Sequence, residues 1–470
     1  MSRGKELAKN TAILSFGKLC THLVSFVLLP FYTNILEPEE YGIANLFMTY
    51  ISLIVPLFSL MIEQGLFRFL LDVRDERKRQ VSLLSTVTAI NIFEILIFIL
   101  IYLIAARFII SEYKTFLLLS VPVYILMNTL MQFARGIGKI GIYTLASFIS
   151  ATASIVCNII TIFVMRLGVW GLFISTILGQ LAALITLFFL LKAWRYIKFS
   201  FISLKEAKVL IRYSYPLVPN QLSWWAIGAS DKTIVSYFIS VSANGIYSVA
   251  NRFSTIFITF YNLLNLSWTE SVALHVNDED AETFFSETIN TMFSLFFSIC
   301  MGIVGYMSIF FPLIINVKYH EAYPQIPILM LSVLFQVVVG LYSVIYVALK
   351  RPHELAKTSM FAAIINVVVD LLLIKYIGLY AASISTLVAF ASMAIYRYFH
   401  VKKYFNIVLE NKLKYLVVTA AVLSIYYTKN FYLNIAGAVF ITAFAIITNF
   451  AFIKALLGFT LETMKKMLKK

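Results

Sequence analysis

The sequence YTNILEPEEYGIANLF (residues 32–47) resembles VSYFISVSANGIYSVANRF (residues 235–253). Aligning the two stretches pairs Gly42 with Gly245, an offset of 203 residues. Each stretch joins the end of one long apolar segment to the start of the next. The pair is therefore a first indication that the chain repeats a unit of helical segments.

A second pair of similar stretches lies further along the chain. RLGVWGLFISTILG (residues 166–179) resembles KYIGLYAASISTLVA (residues 375–389), which pairs Gly168 with Gly378 at an offset of 210 residues. The same alignment pairs Ser175-Thr176 with Ser385-Thr386. Two pairs at nearly equal offsets predict an internal repeat of the kind found in transporters.

The composition indicates a membrane protein. Hydrophobic residues make up 61% of the chain and charged residues only 13%, whereas soluble domains have about 45–50% apolar and about 25% charged residues. Crossing the hydrocarbon takes roughly 20 apolar residues per helix, and about fourteen runs are long enough. Because these runs are continuously apolar and do not alternate, they predict helices and not barrel strands. We therefore expect an all-α membrane protein with about fourteen transmembrane helices.

The predicted spans follow one another with short connections. They cover residues 11–35, 42–70, 82–106, 114–134, 142–165, 169–191, 214–239, 243–268, 288–314, 326–349, 356–375, 379–396, 413–428 and 432–453. When the two terminal residues at each end of a span are counted with the adjacent connection, one side of the membrane holds 28 Lys and Arg residues and the other side holds six. The positive-inside rule then predicts that both termini are cytoplasmic.

The repeat predicts the domain organisation. Two six-helix bundles, residues 1–200 and 205–400, are followed by two additional helices and a basic cytoplasmic tail in residues 401–470. Because six is an even number, both bundles start from the cytoplasm, so the repeat is parallel. Two such bundles can rock about a central cavity and open it alternately to each side, which favours a transporter.

Several other chemistries find no support in the sequence. The three cysteines fall in apolar spans without metal-ligand spacing, so we expect no disulfide framework, no metal site and no cofactor. A GxGxxG pattern at Gly136, Gly138 and Gly141 lacks the preceding strand that dinucleotide binding requires. No nucleotide-hydrolysis or nucleophile motif is present, and we expect the chain not to be an enzyme.

Cations inside the spans are the first candidate site residues. Ionisable side chains at membrane depth usually face a cavity or a partner. Ammonium and guanidinium groups donate charge-assisted hydrogen bonds to phosphate oxygens. Arg68 has an alternative explanation, because a long side chain near a span end can reach the interface. The candidate substrate-binding cations are Lys18, Arg68, Lys232 and Arg252.

Acidic and aromatic residues complete the candidate site. The acids could balance the cations when no substrate is bound, or bind a coupling ion; they are Glu63, Glu94, Asp231 and Asp370. Aromatic rings near the second bundle's first helices could stack on sugars, although packing or interfacial anchoring explains them equally well. These are Tyr213, Trp224, Trp225 and Tyr247.

The stretches LPFYTNILEPEEYGIANLF and YPLVPNQLSWWAIGASDKTIVSYFISVSANGIYSVANRF resemble bacterial polysaccharide-repeat flippases of the multidrug, oligosaccharidyl-lipid and polysaccharide exporter superfamily. The resemblance extends over essentially the whole chain. Its most specific pattern is Trp225, Asp231, Lys232, Gly245, Ile246 and Tyr247. The resemblance implies a flippase that moves undecaprenyl-pyrophosphate-linked oligosaccharide units between leaflets for O-antigen, capsule or similar polymers. It also implies that a polymerase and other assembly proteins are possible partners, and that nucleic acid is not.

The chain departs from the family pattern at two places. Lys232 stands where arginine is frequent, which puts bidentate phosphate recognition in doubt. The first span carries a single cation, Lys18, which argues against the arginine-rich lipid II flippase branch.

Three other functions stay open. A drug/cation antiporter of the same superfamily would use acids and not cations in its cavity. A membrane polysaccharide polymerase usually needs a large external loop, and the external connections here are about ten residues at most by the predicted spans. A non-transporting scaffold would leave the repeat and the buried charges unexplained.

Overall fold

The computed structural model describes residues 28–108, 111–349, 351–428 and 430–450, together with Phe452 and Lys454. Within these ranges the chain is helical and contains no strand. Nine of the described helices are long and apolar enough to cross a membrane. The all-α membrane fold predicted from the sequence is confirmed. The chain forms two compact units, Met1–Gly245 and Ile246–Lys470, described separately below.

The first unit contains nine helices in its described part, together with the first residues of a tenth. They are α1 (Leu29–Ile35), α2 (Pro38–Phe58), α3 (Ile62–Asp72), α4 (Arg77–Ala105), α5 (Lys114–Gly136), α6 (Ile140–Asn158), α7 (Gly168–Leu190), α8 (Leu204–Ser214) and α9 (Leu217–Phe238), with a π-helical turn, Ile159–Val164, after α6. Helix α6 packs along α7, and α2 packs along α9. Phe47, Phe116 and Phe173 lie at the centre of one apolar core, where the last two rings stack at 3.9 Å.

The second unit contains the rest of the described helices. They are α10 (Val241–His275, which begins in the first unit), α11 (Ala281–Ile314), α12 (Ile326–Ala348), α13 (Pro352–Ile377), α14 (Tyr380–Val401), α15 (Lys412–Thr428) and α16 (Phe431–Thr448), with a 3-10 segment, Val317–Gln325, before α12. Helix α14 packs against both α12 and α13, while α11 packs against α15 and α16. Thus α15 and α16, the two C-terminal helices predicted from the sequence, are attached through α11.

One predicted span is not a single helix. The apolar run 42–70 is divided into α2 and α3 by a break at Ser59–Met61. Leu60 and Met61 both adopt positive φ, 46° and 54°, a region that non-glycine residues rarely enter. Pro56, inside the last turn of α2, removes a backbone donor just before the break. The prediction of a continuous helix was wrong here, because hydropathy does not register a change of backbone conformation.

The paired stretches of sequence share local structure in the two units. Gly168 and Gly378 both adopt positive φ, 53° and 55°, at the start of the helix that follows. Two turns into α7, Ser175 donates to Asn158 Oδ1 (2.7 Å). In the second unit, Asn366 Nδ2 lies 3.4 Å from Ser385 Oγ. These matches are what a repeat would produce. The division at residues 200, 205 and 400 stays a prediction, since the compact units divide at Gly245.

Gly42 and Gly245, the other paired glycines, contact each other. A Cβ built on Gly42 would lie 3.0 Å from the Gly245 backbone nitrogen and would overlap the Val241 carbonyl oxygen. The Asn244 side chain donates to the Gly42 carbonyl (2.9 Å) beside this contact. Helix α2 and the first turn of α10 therefore approach closely because neither glycine has a side chain.

Replacing Gly42 by alanine should destabilise the protein. The added methyl group would meet backbone atoms that cannot rotate away, and overpacking of this kind costs about 1–3 kcal/mol. Thermal unfolding in detergent, followed by tryptophan fluorescence, should show a lower Tm for Gly42→Ala. Gly141→Ala is the matched control, because nothing lies within 4 Å of its Cβ position. Equal Tm values for the two variants would contradict the close contact.

Candidate functional site

An acidic pair lies inside the first unit. Glu63 stands in the first turn of α3, directly after the helix break, and is only 9% exposed. At the break itself, the Ser59 hydroxyl oxygen accepts a hydrogen bond from the Met61 backbone N–H (3.2 Å). The break in the helix thus positions Glu63 in the protein interior.

The second acid of the pair is Glu94 on α4. It is 5% exposed, and within the described part of the chain neither carboxylate oxygen has a hydrogen-bond partner. It interacts electrostatically with Glu63. One turn away, the fully buried Asn91 donates to Thr129 Oγ1 (2.7 Å). Buried charge is costly unless something compensates for it, so this pair is suited to holding a proton or another cation.

Arg68, also on α3, lies in a different environment. Its guanidinium pairs with Asp72 at 2.8 Å, and the two side chains are 48% and 59% exposed. Exposed pairs one helical turn apart contribute little to stability. Tyr213 is 42% exposed, and its ring packs edge-on against Phe69. In this structure Arg68 and Tyr213 are thus surface residues of the first unit.

The remaining candidates of the first unit lie on α9. Asp231 is 2% exposed, and Lys232 and Trp224 are half-buried. The Trp225 indole N–H donates to the Thr49 carbonyl on α2 (3.1 Å), which fixes the position of this ring. Lys18 lies outside the described residues. The roles assigned to these side chains stay predictions.

In the second unit, a group of buried polar side chains surrounds the contact between α13 and α14. Asp370 and Asn366 are both fully buried and lie one turn apart on α13. The Asn366 amide faces the hydroxyls of Ser385 and Thr386, each at 3.4 Å. This group of α13 and α14 side chains offers oxygen atoms that suit a small cation. The other candidates of this unit lie on α10, where Tyr247 is 2% exposed and Arg252 is half-buried.

Sequence reasoning missed one buried cation, Arg397. The predicted span ended at residue 396, so Arg397 was counted with the cytoplasmic side, whereas α14 continues to Val401 and Arg397 is 1% exposed. Its guanidinium donates to Thr358 Oγ1 (2.6 and 3.1 Å), to the Val339 carbonyl (3.2 Å) and to Ser343 Oγ. Arg397 thereby ties α14 to α12 and α13, and none of the ion pairs among the described residues includes it.

Arg397→Ala should lower the stability of the second unit. The change removes the N–H donors that reach the Thr358 and Ser343 hydroxyl oxygens, and each buried polar group that loses its partner costs about 1–3 kcal/mol. The Tm measured in detergent should fall well below that of the wild type. Lys403→Ala, at an exposed position just after the same helix, is the control and should leave Tm unchanged. A normal Tm for Arg397→Ala would show that the hydrogen bonds contribute nothing.

The structure therefore defines a multi-pass helical membrane protein with buried ionisable groups in both units. Its fold is similar to that of "Lipid II flippase MurJ, inward closed conformation" (16% identity, TM-score 0.70, 94% of this chain and 99% of that chain). It is also similar to an inward-facing multidrug resistance MATE family transporter of the MOP superfamily (14% identity, TM-score 0.68, 86% and 96%). A third similar structure is the MATE transporter ClbM in complex with Rb⁺ (19% identity, TM-score 0.50, 86% and 96%). At these identities the similarities establish the fold.

The sequence identifies the family. The family model described as "Polysaccharide biosynthesis protein" matches residues 7–269, more than half of the chain. The chain belongs to this family, and the resemblance stated from the sequence is confirmed. Among curated proteins, none matches the chain significantly.

Proposed function

We propose that the chain is a flippase that moves polyprenyl-pyrophosphate-linked oligosaccharide units across the bacterial cytoplasmic membrane by alternating access. Membership of the polysaccharide biosynthesis family is the observation that carries this proposal. The similarity in fold to a protein described as a lipid II flippase supports it. On this proposal the chain catalyses no covalent step, and both termini are cytoplasmic.

The charged head of such a substrate needs cations on its route. Lys232 and Arg252 are half-buried and lie on consecutive helices, so their stems are packed while their charged ends can still reach a ligand. We propose that both side chains bind the pyrophosphate or anionic sugars of the substrate. Lys18 and Arg68 are assigned a supporting role, with Arg68 the weaker candidate because it is exposed and pairs with Asp72. Trp225 and Tyr247 are assigned to sugar contacts.

The buried acids would couple transport to an ion gradient. Glu63 and Glu94 share one interior region of the first unit, and Asp370 lies with Asn366 in the second. Binding or release of a cation at either place changes the buried charge, and this change can bias one conformation over another. The Rb⁺ complex of the similar MATE transporter is compatible with a cation site in this fold.

Lys232→Ala and Arg252→Ala should each slow translocation. Losing one charge-assisted hydrogen bond to phosphate weakens binding by about 1.5–3 kcal/mol, roughly ten- to hundredfold. Proteoliposomes with a fluorescent polyprenyl-pyrophosphate oligosaccharide and a membrane-impermeant quencher measure the rate directly. In cells, lipid-linked units should accumulate facing the cytoplasm and surface polymer should disappear. Lys139→Ala, at an exposed position, is the control. Wild-type rates in both variants, at equal protein levels, would refute the assignment.

Glu94→Gln should uncouple transport from an ion gradient. The amide has nearly the same size as the carboxylic acid but carries no charge and no titratable proton, so the fold should be preserved. A proton gradient and a Na⁺ gradient are applied separately in the same assay. In the variant neither gradient should raise the translocation rate, while the rate measured without a gradient should be unchanged. Glu279→Gln, exposed in a connection of the second unit, should respond like the wild type. Full stimulation in Glu94→Gln would remove the acidic pair from the coupling mechanism.

A second candidate is a drug/cation antiporter, favoured by the similarity in fold to MATE transporters and by the buried acids. One experiment distinguishes the antiporter from the flippase. Expression of the chain in a drug-sensitive strain should leave drug efflux unchanged if the flippase proposal is right. Efflux of cationic drugs, with no movement of the fluorescent oligosaccharide lipid, would support the antiporter.

A further inference from the structure

A pocket at one end of the second unit is not used by the proposed function. Its volume is about 400 Å³, and it lies between the end of α11, the 3-10 segment and the start of α16. Its apolar wall includes Phe311, Ile315 and Tyr323, and its polar groups include Ser308, His320 and Asn434. Pockets of this size and mixed character bind small ligands or the head groups of larger ones.

Asn434 gives the pocket a specific chemical requirement. It is only 5% exposed, and its Oδ1 atom has no hydrogen-bond partner in the described part of the chain. A buried carbonyl oxygen without a donor is costly, and in native proteins it usually indicates a missing water or ligand. Because Asn434 lines the pocket, a ligand that brings an N–H or O–H donor would satisfy it.

His320 adds a second acceptor. Its Nδ1 lies 3.2 Å from the Val317 carbonyl oxygen, so in the neutral ring the proton sits on Nδ1 and Nε2 is left as an acceptor. The described polar groups of the pocket thus include two acceptors, Asn434 Oδ1 and His320 Nε2. The buried acceptor, Asn434 Oδ1, favours a ligand that carries N–H donors, such as a primary ammonium group.

The surroundings place the pocket at head-group depth. Tyr323 and Tyr426 stack at 4.1 Å and exchange hydrogen bonds with each other's backbone carbonyls (3.1 and 2.6 Å). Tyr427 and Tyr432, nearby in sequence and at the same end of α15 and α16, are 45% and 81% exposed. Tyrosines concentrate where the hydrocarbon meets water. The pocket therefore opens at the level of the phospholipid head groups.

A narrow gap between α11, α15 and α16 shares Ser308 with the pocket and is otherwise lined by Gly305, Val422, Ile425, Tyr426 and Gly437. The gap is too tight to hold a water molecule, because the side chains of Ile441 and Ile425 pack onto the two glycines. A lipid whose polar head occupies the pocket would therefore leave its acyl chains in the surrounding bilayer.

We propose that this pocket binds the head group of a phospholipid that carries a primary amine, such as phosphatidylethanolamine. Its ammonium donates to the buried Asn434 Oδ1, the exposed His320 lines the same pocket, and the lipid's acyl chains lie in the surrounding bilayer. The exposed Lys318, on the same 3-10 segment, adds positive charge near the rim for the phosphate. The site is separate from the residues assigned to transport and does not depend on the proposed function.

The test compares two lipids that differ in whether the nitrogen of the head group carries N–H donors. The purified protein is incubated with an equimolar mixture of phosphatidylethanolamine and phosphatidylcholine carrying identical acyl chains, and retained lipids are counted by native mass spectrometry. The choline head group has no N–H. The wild type should retain about fivefold more phosphatidylethanolamine, the factor that one net hydrogen bond provides. Asn434→Leu, of similar size but without the acceptor, should bring the ratio close to one.

Two further variants keep the proposal open to contradiction. Tyr432→Leu, in the same turn of α16 but largely exposed, should keep the preference of the wild type. If Asn434→Leu does not fold, Ser308→Leu, which fills the pocket from α11, should reduce the retained phosphatidylethanolamine instead. Equal retention of both lipids by the wild type, or an unchanged preference in folded Asn434→Leu or Ser308→Leu, would overturn the proposal.

Discussion

The structure depends on one constraint: a polar group inside a helical membrane bundle has to be satisfied by the protein itself or by what the protein binds. Arg397 shows the first solution, since its donors reach hydroxyls and a carbonyl on two neighbouring helices. Glu94 shows the second, since both of its oxygens are buried without a hydrogen bond among the described residues. A residue of the first kind holds helices together. A residue of the second kind is retained at a cost, which is reasonable only if its charge state has a function.

The same constraint explains the role of small residues at the helix contacts. Gly42 and Gly245 allow two backbones to meet, and the meeting brings Asn244 within reach of a carbonyl that its amide satisfies. At the corresponding positions of the two units, Gly168 and Gly378 let the chain turn through the left-handed region at the start of a helix. Asn158 with Ser175, and Asn366 with Ser385, then link the helices on either side of each turn.

Much of the fold could be predicted, because length and hydropathy almost determine where a membrane helix lies. Each predicted span from the second to the last coincides with described helix, and most ends agree within a few residues. Two details could not be predicted for physical reasons. The break at Leu60 and Met61 is a matter of backbone dihedral angles within an apolar run. Arg397 lies beyond the apolar run, yet its helix continues because the neighbouring helices supply hydrogen-bond partners.

The site was harder to predict than the fold. The sequence identified Glu63, Glu94 and Asp370 as acids at membrane depth, and all three are buried. For Arg68 the sequence offered a second explanation, a side chain near a span end that reaches the interface, and the structure places it at the surface beside Asp72. Asn91 and Asn366 stand three and four residues before Glu94 and Asp370, which places each amide near its acid on one helix. The hydroxyl groups that these amides face lie on other helices and could be identified only from the packing.

The interruption between α2 and α3 has a mechanical meaning. Residues in the left-handed region cost roughly 1–2 kcal/mol each, so the packing around Leu60 and Met61 has to offset that cost for the break to persist. Glu63 lies in the first turn after the break, so the direction in which α3 begins also determines where this carboxylate lies in the protein interior.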